Sequence, residues 1–186
     1  VIGVDSSEEM LGIAKENAME AGLDILYLCQ EAQKLDLFGT VDGAVCLMDS
    51  LNHITDKKEL KEAIAKVSLF LEKDCLFIFD VNTIFKHKEI LADNTFVFEE
   101  EGVFCVWQNS FQNEDNSTDI LLDFFVEEDG VYERYSEDFS ERAYSEAELK
   151  ELLSDCGLKP IAVFGDLSFE KPKDEEERIF IIAQKI

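Results

Sequence analysis

The sequence predicts an α/β fold in which a mainly parallel sheet is covered by helices on both faces. Apolar segments and helical patterns follow one another over residues 1–81 in the order strand, helix, strand, strand, helix, strand. The strand segments are almost continuously apolar, which is typical of strands buried on both faces. A segment rich in aromatic and acidic residues at 95–142 predicts an antiparallel addition to this sheet.

The first strand and helix are predicted from the start of the chain. Residues 1–4 form a short apolar strand that ends at Asp5. Ser6 or Ser7 can cap the following helix, on which Met10 begins a set of apolar residues at helical spacing. Acidic residues in the first turn of this helix favour its positive end.

Three further strands and a helix complete the first part of the chain. The strands are predicted at residues 25–29, 41–48 and 75–81, and an amphipathic helix is predicted at residues 57–71. Only the short stretch 31–38 is available for a helix between the second and third strands. This arrangement is typical of an open α/β sheet.

The middle of the chain has a different character. Residues 95–142 contain ten aromatic residues, and fourteen acidic residues against two arginines. Hairpin-turn signals at Glu101-Gly102 and Asp129-Gly130 predict an antiparallel meander. A capped helix at residues 145–155 and strands at residues 159–165 and 178–186 then finish the chain. We therefore predict a core at residues 1–94, a β insertion at residues 95–142 that covers the substrate, and a return to the core at residues 143–186.

Composition excludes several classes of partner. The chain has 17 Lys and Arg against 42 Asp and Glu, which gives a net charge of −25. Such a surface repels nucleic acids and anionic membranes. The five cysteines lack paired spacing and there are two histidines, so we expect buried reduced thiols, a cytoplasmic protein and no metal site.

Asp5 is the first candidate for a functional role. Ligands of open α/β sheets bind outside the carboxyl ends of the strands, where Asp5 is predicted to lie. A carboxylate at that point can accept hydrogen bonds from both hydroxyls of a ribose, as any adenosine cofactor requires, including NAD. Alternatively, Asp5 serves only the start of the helix.

Five segments in order resemble one enzyme family. They are residues 1–14, Gln30-Glu31-Ala32, residues 41–53, residues 79–86 and residues 178–183. Together they resemble the class I S-adenosylmethionine (SAM)-dependent methyltransferases, and in particular small bacterial enzymes with a β-rich insertion. The resemblance implies a Rossmann-like sheet that is mostly parallel and has an antiparallel last strand.

One element of that family has no counterpart in the sequence. The family's glycine-rich loop follows its first strand, and none of the nine glycines here form a GxGxG pattern. The resemblance therefore implies a sheet without its first strand and without this loop. We expect that the chain is truncated before Val1.

The resemblance also implies roles for individual residues. Asp5, with Ser6 beside it, would hold the ribose, and Met10 would pack on the adenine ring. The adenine amino group and ring edge would be contacted by Gln30, Glu31 and Ala32. The methionine part of SAM would lie beside Met48 and Asp49.

The methyl acceptor is expected near Asn52 and His53, which follow the fourth-strand motif of the family. Methyl transfer requires chiefly that the nucleophile be aligned with an already activated methyl group. A base is needed where the acceptor loses a proton, and a histidine can serve near neutral pH. We therefore predict Asn52 and His53 as catalytic residues.

The sequence thus predicts a SAM-dependent methyltransferase that acts on a small-molecule acceptor. One alternative is a non-catalytic Rossmann-like binding module, which the missing glycine-rich loop would favour. A less favoured alternative is an NAD-dependent oxidoreductase, because no Tyr-xxx-Lys pair occurs in the chain.

Overall fold

The protein's computed structural model describes residues 1–186. Three α-helices are present: α1 (Glu8–Glu20), α2 (Lys57–Phe70) and α3 (Glu146–Asp155). The ten strands are β1 (Ile2–Asp5), β2 (Leu26–Cys29), β3 (Val41–Cys46), β4 (Leu71–Asn82), β5 (Thr95–Glu100), β6 (Val103–Gln112), β7 (Ser117–Glu128), β8 (Val131–Arg142), β9 (Leu158–Gly165) and β10 (Arg178–Lys185). A 3-10 turn at Ala32–Lys34 and a π-helical segment at Lys86–Leu91 complete the fold.

The strands form three sheets. β1 and β2 form a parallel pair, and β3, β4, β10 and β9 form a four-stranded sheet in that order. β10 runs antiparallel to both of its neighbours, which confirms the antiparallel last strand expected from the sequence. β1 is not hydrogen-bonded to β3, so each of these strands has one edge without a neighbouring strand.

The core lies between the four-stranded sheet and helices α2 and α3. Phe77 and Phe79 of β4 stack with their ring centroids 4.9 Å apart. They belong to one cluster of fifteen buried apolar residues, to which α2 contributes Ile64 and α3 contributes Leu149. This packing holds the carboxyl ends of β3 and β4 in fixed positions.

Two predicted strands differ in length from the observed ones. β3 ends at Cys46, before the predicted end at residue 48, because Met48 and Asp49 adopt left-handed backbone angles, with φ of 60° and 50°. β4 begins at Leu71, directly after α2, and is longer than predicted. Only the 3-10 turn occupies the predicted helical stretch at residues 31–38.

The antiparallel meander is confirmed as a four-stranded sheet of β5 to β8 in sequential order. Glu101 and Gly102 connect β5 to β6, and Asp129 and Gly130 connect β7 to β8. All four of these residues have positive φ, as tight hairpin turns require.

The prediction of buried cysteines is wrong. All five thiols are free, as expected, but Cys29 is exposed and the other four are only partly buried. Cys29 ends β2 and is paired with Asp5 in the parallel register of β1 and β2.

No helix in the structure is both long enough and apolar enough to cross a membrane.

Candidate active site

Asp5 lies where the sequence predicts it, at the carboxyl end of β1. Its Oδ1 accepts a hydrogen bond of 2.8 Å from the backbone N–H of Ser7, and the rest of the carboxylate is exposed. Ser7, rather than Ser6, caps α1, because its Oγ accepts the N–H of Met10 at 3.2 Å. The side chain of Met10 is 57% exposed and is therefore accessible beside the strand end.

The segment after β2 is adjacent to Asp5, because Asp5 and Cys29 are paired in the parallel register. The side chain of Gln30 bonds both backbone groups of Asp36, at 2.9 and 3.2 Å, and so closes this loop. Glu31 pairs with Lys34 at 2.9 Å on the exposed surface, and Ala32 begins the 3-10 turn. The predicted cofactor residues of β1 and β2 therefore lie at one edge, mostly exposed.

Asp49 lies in a different environment, just after β3. Its carboxylate accepts hydrogen bonds from Arg178 Nη2 at 2.9 Å and from Asn82 Nδ2 at 2.5 Å. Its backbone N–H donates to Asp80 Oδ2 at 3.1 Å, and Arg178 also binds that oxygen. Asp80 is almost fully buried, and its Oδ1 has no hydrogen-bond partner. One arginine thus binds two carboxylates at the ends of β3 and β4.

Asn52 is fully buried, and its side-chain amide forms hydrogen bonds with the backbone at the ends of two strands. Its Nδ2 donates to the carbonyls of Asn82 and Arg142, at 3.2 and 2.9 Å, and its Oδ1 accepts the N–H of Asn82 at 3.0 Å. The N–H of Arg142 donates to the Asn52 carbonyl at 2.8 Å. Asn52 therefore joins the end of β4 to the end of β8, and a direct contact with the acceptor stays a prediction.

His53 borders a second cluster, which includes a carboxylate of β8. Its Nε2 lies 3.6 Å from Glu141 Oε1, and its ring packs on Phe139 with centroids 5.2 Å apart. On the other side of the carboxylate, His87 Nε2 lies 3.6 Å from Glu141 Oε2. His53 is about half exposed (48%), whereas Glu141 and His87 are buried. A carboxylate flanked by two imidazoles thus lies just inside the surface.

The two buried groups of this cluster have shifted pKa values. Burial, and secondarily the charge of Lys86, lowers the pKa of His87 to about 4, so this ring is neutral at pH 7. Burial raises the pKa of Glu141, and the negative charge of Asp49 raises it further. His87 Nδ1 is 2.9 Å from Thr118 Oγ1, while its Nε2 has no hydrogen-bond partner. A buried carboxyl with a raised pKa is the kind of group that serves as a general acid or base.

Several residues of the site were not among the predicted site residues: Asp80, Asn82, Lys86, His87, Glu141 and Arg178. Lys86 Nζ donates to Asn82 Oδ1 at 2.9 Å and thereby lies beside the Asp49 network. A local signal existed at the carboxyl end of β4, because the polar side chains of Asp80 and Asn82 come directly after the strongly apolar part of that strand. No local signal marks Glu141 among the fourteen acidic residues of the insertion.

Comparisons with known proteins show which family the chain belongs to. A family model described as "Methyltransferase domain" matches residues 1–74. A Bacillus subtilis (strain 168) protein named "Putative methyltransferase YqeM" is 32% identical over 186 residues, which are 100% of this chain and 75% of that protein. The chain belongs to the SAM-dependent methyltransferases. A crystal structure of a SAM-dependent methyltransferase from Clostridium acetobutylicum ATCC 824 agrees, with a TM-score of 0.93, 31% identity, and coverage of 99% of this chain and 74% of that one.

The protein is therefore an enzyme, and SAM is its cofactor. The SAM-bound amino pentose methyltransferase CalS10 from Micromonospora echinaspora shares the fold, with a TM-score of 0.73 at 18% identity over 100% of this chain and 74% of that one. The methyltransferase keeps a class I Rossmann-like architecture with a mixed sheet. None of these similarities supports an oxidoreductase or a non-catalytic binding module.

Proposed function

We propose that this methyltransferase transfers the methyl group of SAM to a small molecule whose accepting atom is held beside Glu141. The observation that carries the proposal is the buried carboxylate of Glu141, which lies 3.6 Å from each of two histidine nitrogens. A side chain this enclosed is reached more easily by a compact group than by a folded macromolecule. The net charge of −25 further disfavours nucleic-acid acceptors.

The residues at the ends of β1, β2 and β3 fit SAM. Asp5 keeps an exposed carboxylate oxygen for the ribose, and Met10 offers an exposed thioether to a flat ring. Glu31 lies on the adjacent strand end, and Met48 and Asp49 follow β3. When bound, SAM supplies an activated methyl group on a sulfonium sulfur.

The chain's own residues then align the acceptor and move its proton. The acceptor's lone pair forms the new bond to the methyl carbon as the carbon–sulfur bond breaks, and the proton on the accepting atom passes to Glu141. His53, half exposed and 3.6 Å away, releases that proton to solvent. His87 stays neutral, and Asn52 acts as a positioning residue because its bonds to the strand ends hold β8, and hence Glu141, against β4.

The test is a methyl-transfer assay on the full-length enzyme with SAM labelled in its methyl group. A metabolite extract and a macromolecular fraction are offered separately, and we expect label in the small-molecule products. We expect Glu141→Gln to lower kcat by about 100-fold or more, as loss of a general base does, with SAM affinity unchanged.

The pH profile separates a base from a purely structural residue. Because the pKa of Glu141 is raised, the wild-type kcat should rise as pH rises through that pKa, and Glu141→Gln should lose this limb. Asp138→Asn, an exposed change on the same strand, serves as the control and should behave as wild type. Label confined to macromolecules, or an unchanged pH profile in Glu141→Gln, would contradict the proposal.

A further inference from the structure

The insertion sheet has two faces of different chemistry. In the antiparallel registers, Thr118 and Glu141 are paired and lie on the face that contacts His87 and His53, which we call the inner face. The same registers place seven of the ten aromatic residues of the insertion on this face. They include Phe96, Phe98, Trp107, Tyr135 and Phe139. The ring contacts Phe96–Trp107 (5.9 Å) and Phe98–Trp107 (6.5 Å) agree with this assignment.

The charge on the two faces differs as well. The inner face carries neither arginine of the insertion but five glutamates, which are Glu100, Glu128, Glu133, Glu137 and Glu141. Both arginines lie on the opposite, outer face, where Arg134 binds Asp123 with hydrogen bonds of 2.7 to 3.0 Å. The outer face therefore neutralises part of its own acidic charge, whereas the inner face has no cation.

The inner face continues outward from the proposed acceptor site. Along β8, Glu141, Phe139, Glu137 and Tyr135 lie on this face at alternate positions, about 6.8 Å apart in an extended strand. Phe98 and Tyr135 lie at the end of the inner face that is far from Glu141, and each is 53% exposed. At the opposite end of the inner face, the fully buried His87 Nε2 has no hydrogen-bond partner and is directed at Glu141. His87 Nε2, which has no hydrogen-bond partner, and the glutamates of the inner face thus lie along one continuous surface.

We propose that the inner face binds a cationic nitrogen group of the methyl acceptor, held by the rings around Trp107 and Tyr135 and by the carboxylate of Glu137. This inference rests on the proposed small-molecule acceptor and names its chemical class. Aromatic faces attract ammonium groups, and a nearby carboxylate adds to that attraction. With Glu137 about 13 Å along the strand from Glu141, the acceptor is an elongated molecule whose charged group lies away from its reacting atom.

A second copy of this chain is the alternative occupant, and the charge pattern opposes it. Two inner faces placed together would bring all their glutamates into one interface without a cation. Burying like charges without partners is unfavourable, so a cationic ligand satisfies this surface better than a copy of itself.

Trp107 is the only tryptophan in residues 1–186, and the fluorescence signal that is lost in Trp107→Phe reports on the inner face. The probes are choline and its uncharged carbon isostere, 3,3-dimethylbutan-1-ol, titrated into the full-length enzyme at constant ionic strength. We expect choline to change Trp107 fluorescence with at least tenfold tighter apparent affinity than the isostere. Glu137→Gln should weaken choline binding about fivefold, and Asp138→Asn, its neighbour on the outer face, should leave it unchanged.

The outcomes separate this inference from the proposed function, because the titration needs neither SAM nor catalysis. Equal affinity for choline and the isostere, or equal effects of Glu137→Gln and Asp138→Asn, would overturn the cation site. A fluorescence change that depends on protein concentration and coincides with dimer formation in sedimentation would assign the face to a second copy. Failure of the labelling assay alone would contradict the proposed function while the cation site stands.

Discussion

The cofactor edge and the acceptor cluster of this methyltransferase are built in opposite ways. At the cofactor edge, Asp5, Met10 and Glu31 are exposed, and their hydrogen bonds join residues two or three positions apart in the chain. By the acceptor cluster we mean the buried network of Asp49, Asp80 and Arg178 together with the adjoining Glu141 and its two histidines. Asp49, which is also predicted to lie beside the methionine part of SAM, is joined to Arg178 across 129 positions, and both are mostly buried. The first region is held by local turns and the second by the tertiary fold.

This difference has an energetic consequence. Exposed local contacts contribute little to stability, because water competes for every group. Buried charges without their partners are costly, so each member of the acceptor cluster depends on the others. Changes at the acceptor cluster should therefore affect folding, and changes at the cofactor edge should affect binding.

The largest effect is expected from removing the shared cation of the acceptor cluster. Arg178→Met leaves Asp49 and Asp80 without their arginine, and Asp80 is only 1% exposed. Loss of one partner from a buried ion pair costs about 3–5 kcal/mol. Urea unfolding of the enzyme measures this directly.

The matched control is Lys61→Met, which breaks the ion pair between Lys61 and Asp155, in which both side chains are about half exposed. An exposed pair contributes about 0–1 kcal/mol. If the two variants lost similar stability, the distinction between the buried and exposed regions would be wrong.

The next prediction compares the protection of backbone amides from hydrogen exchange in β1 and in β4. β1 and β2 form only a two-stranded pair, and Val1, Ile2 and Val4 remain exposed beside it. Such a pair is marginally stable, whereas β4 lies inside the four-stranded sheet against the main core. For a protein of residues 1–186, amides of β4 should exchange with solvent at least about 100-fold more slowly than those of β1, a difference of about 3 kcal/mol. Equal protection measured by hydrogen exchange would contradict this.

The same contrast explains what the sequence could predict. The strand ending at Asp5, the cap of α1 and the hairpin turns at Gly102 and Gly130 are local patterns, and the structure contains them. The antiparallel last strand followed from a family resemblance whose motifs are also local.

The acceptor cluster could not be predicted because distant segments form it. Glu141 reaches His87 only because the register of β7 and β8 places it beside Thr118. A shift of one residue in that register would turn Glu141 to the outer face. The short end of β3 was missed for a similar reason, since apolar Met48 fits a strand pattern and only the tertiary bonds of Asp49 favour the left-handed turn there.

A pH titration of stability tests the buried histidine. Because the pKa of His87 is lowered to about 4, the unfolded chain binds this proton first as the pH falls from 6.5. Stability therefore decreases between about pH 6.5 and 4, and the contribution of His87 amounts to roughly 3 kcal/mol. His87→Asn, which keeps a nitrogen near Thr118, should lose stability less steeply over this range. The free energy of unfolding of both proteins is measured by chemical unfolding at each pH. If it fell equally steeply with falling pH in the wild type and in His87→Asn, His87 would lie in a more polar environment than in the structure. The raised pKa of Glu141 acts in the opposite direction, and both proteins retain it.

The smallest effect on folding, and a clear effect on binding, is expected at Asp5. Asp5→Ala removes one exposed hydrogen bond to Ser7, so the free energy of unfolding should change by about 1 kcal/mol or less. If Asp5 holds the ribose, two hydroxyls lose a charged acceptor, which weakens SAM binding by about 1.5–3 kcal/mol, or about 10- to 150-fold. Calorimetry with SAM on the full-length enzyme measures this, with Asp24→Ala as an exposed control in the loop after α1. Unchanged SAM affinity together with a loss of stability would mean that Asp5 only supports the turn into α1. In that case the contacts of Asp5 would stabilise the fold, as those of the acceptor cluster do, and would not bind the cofactor.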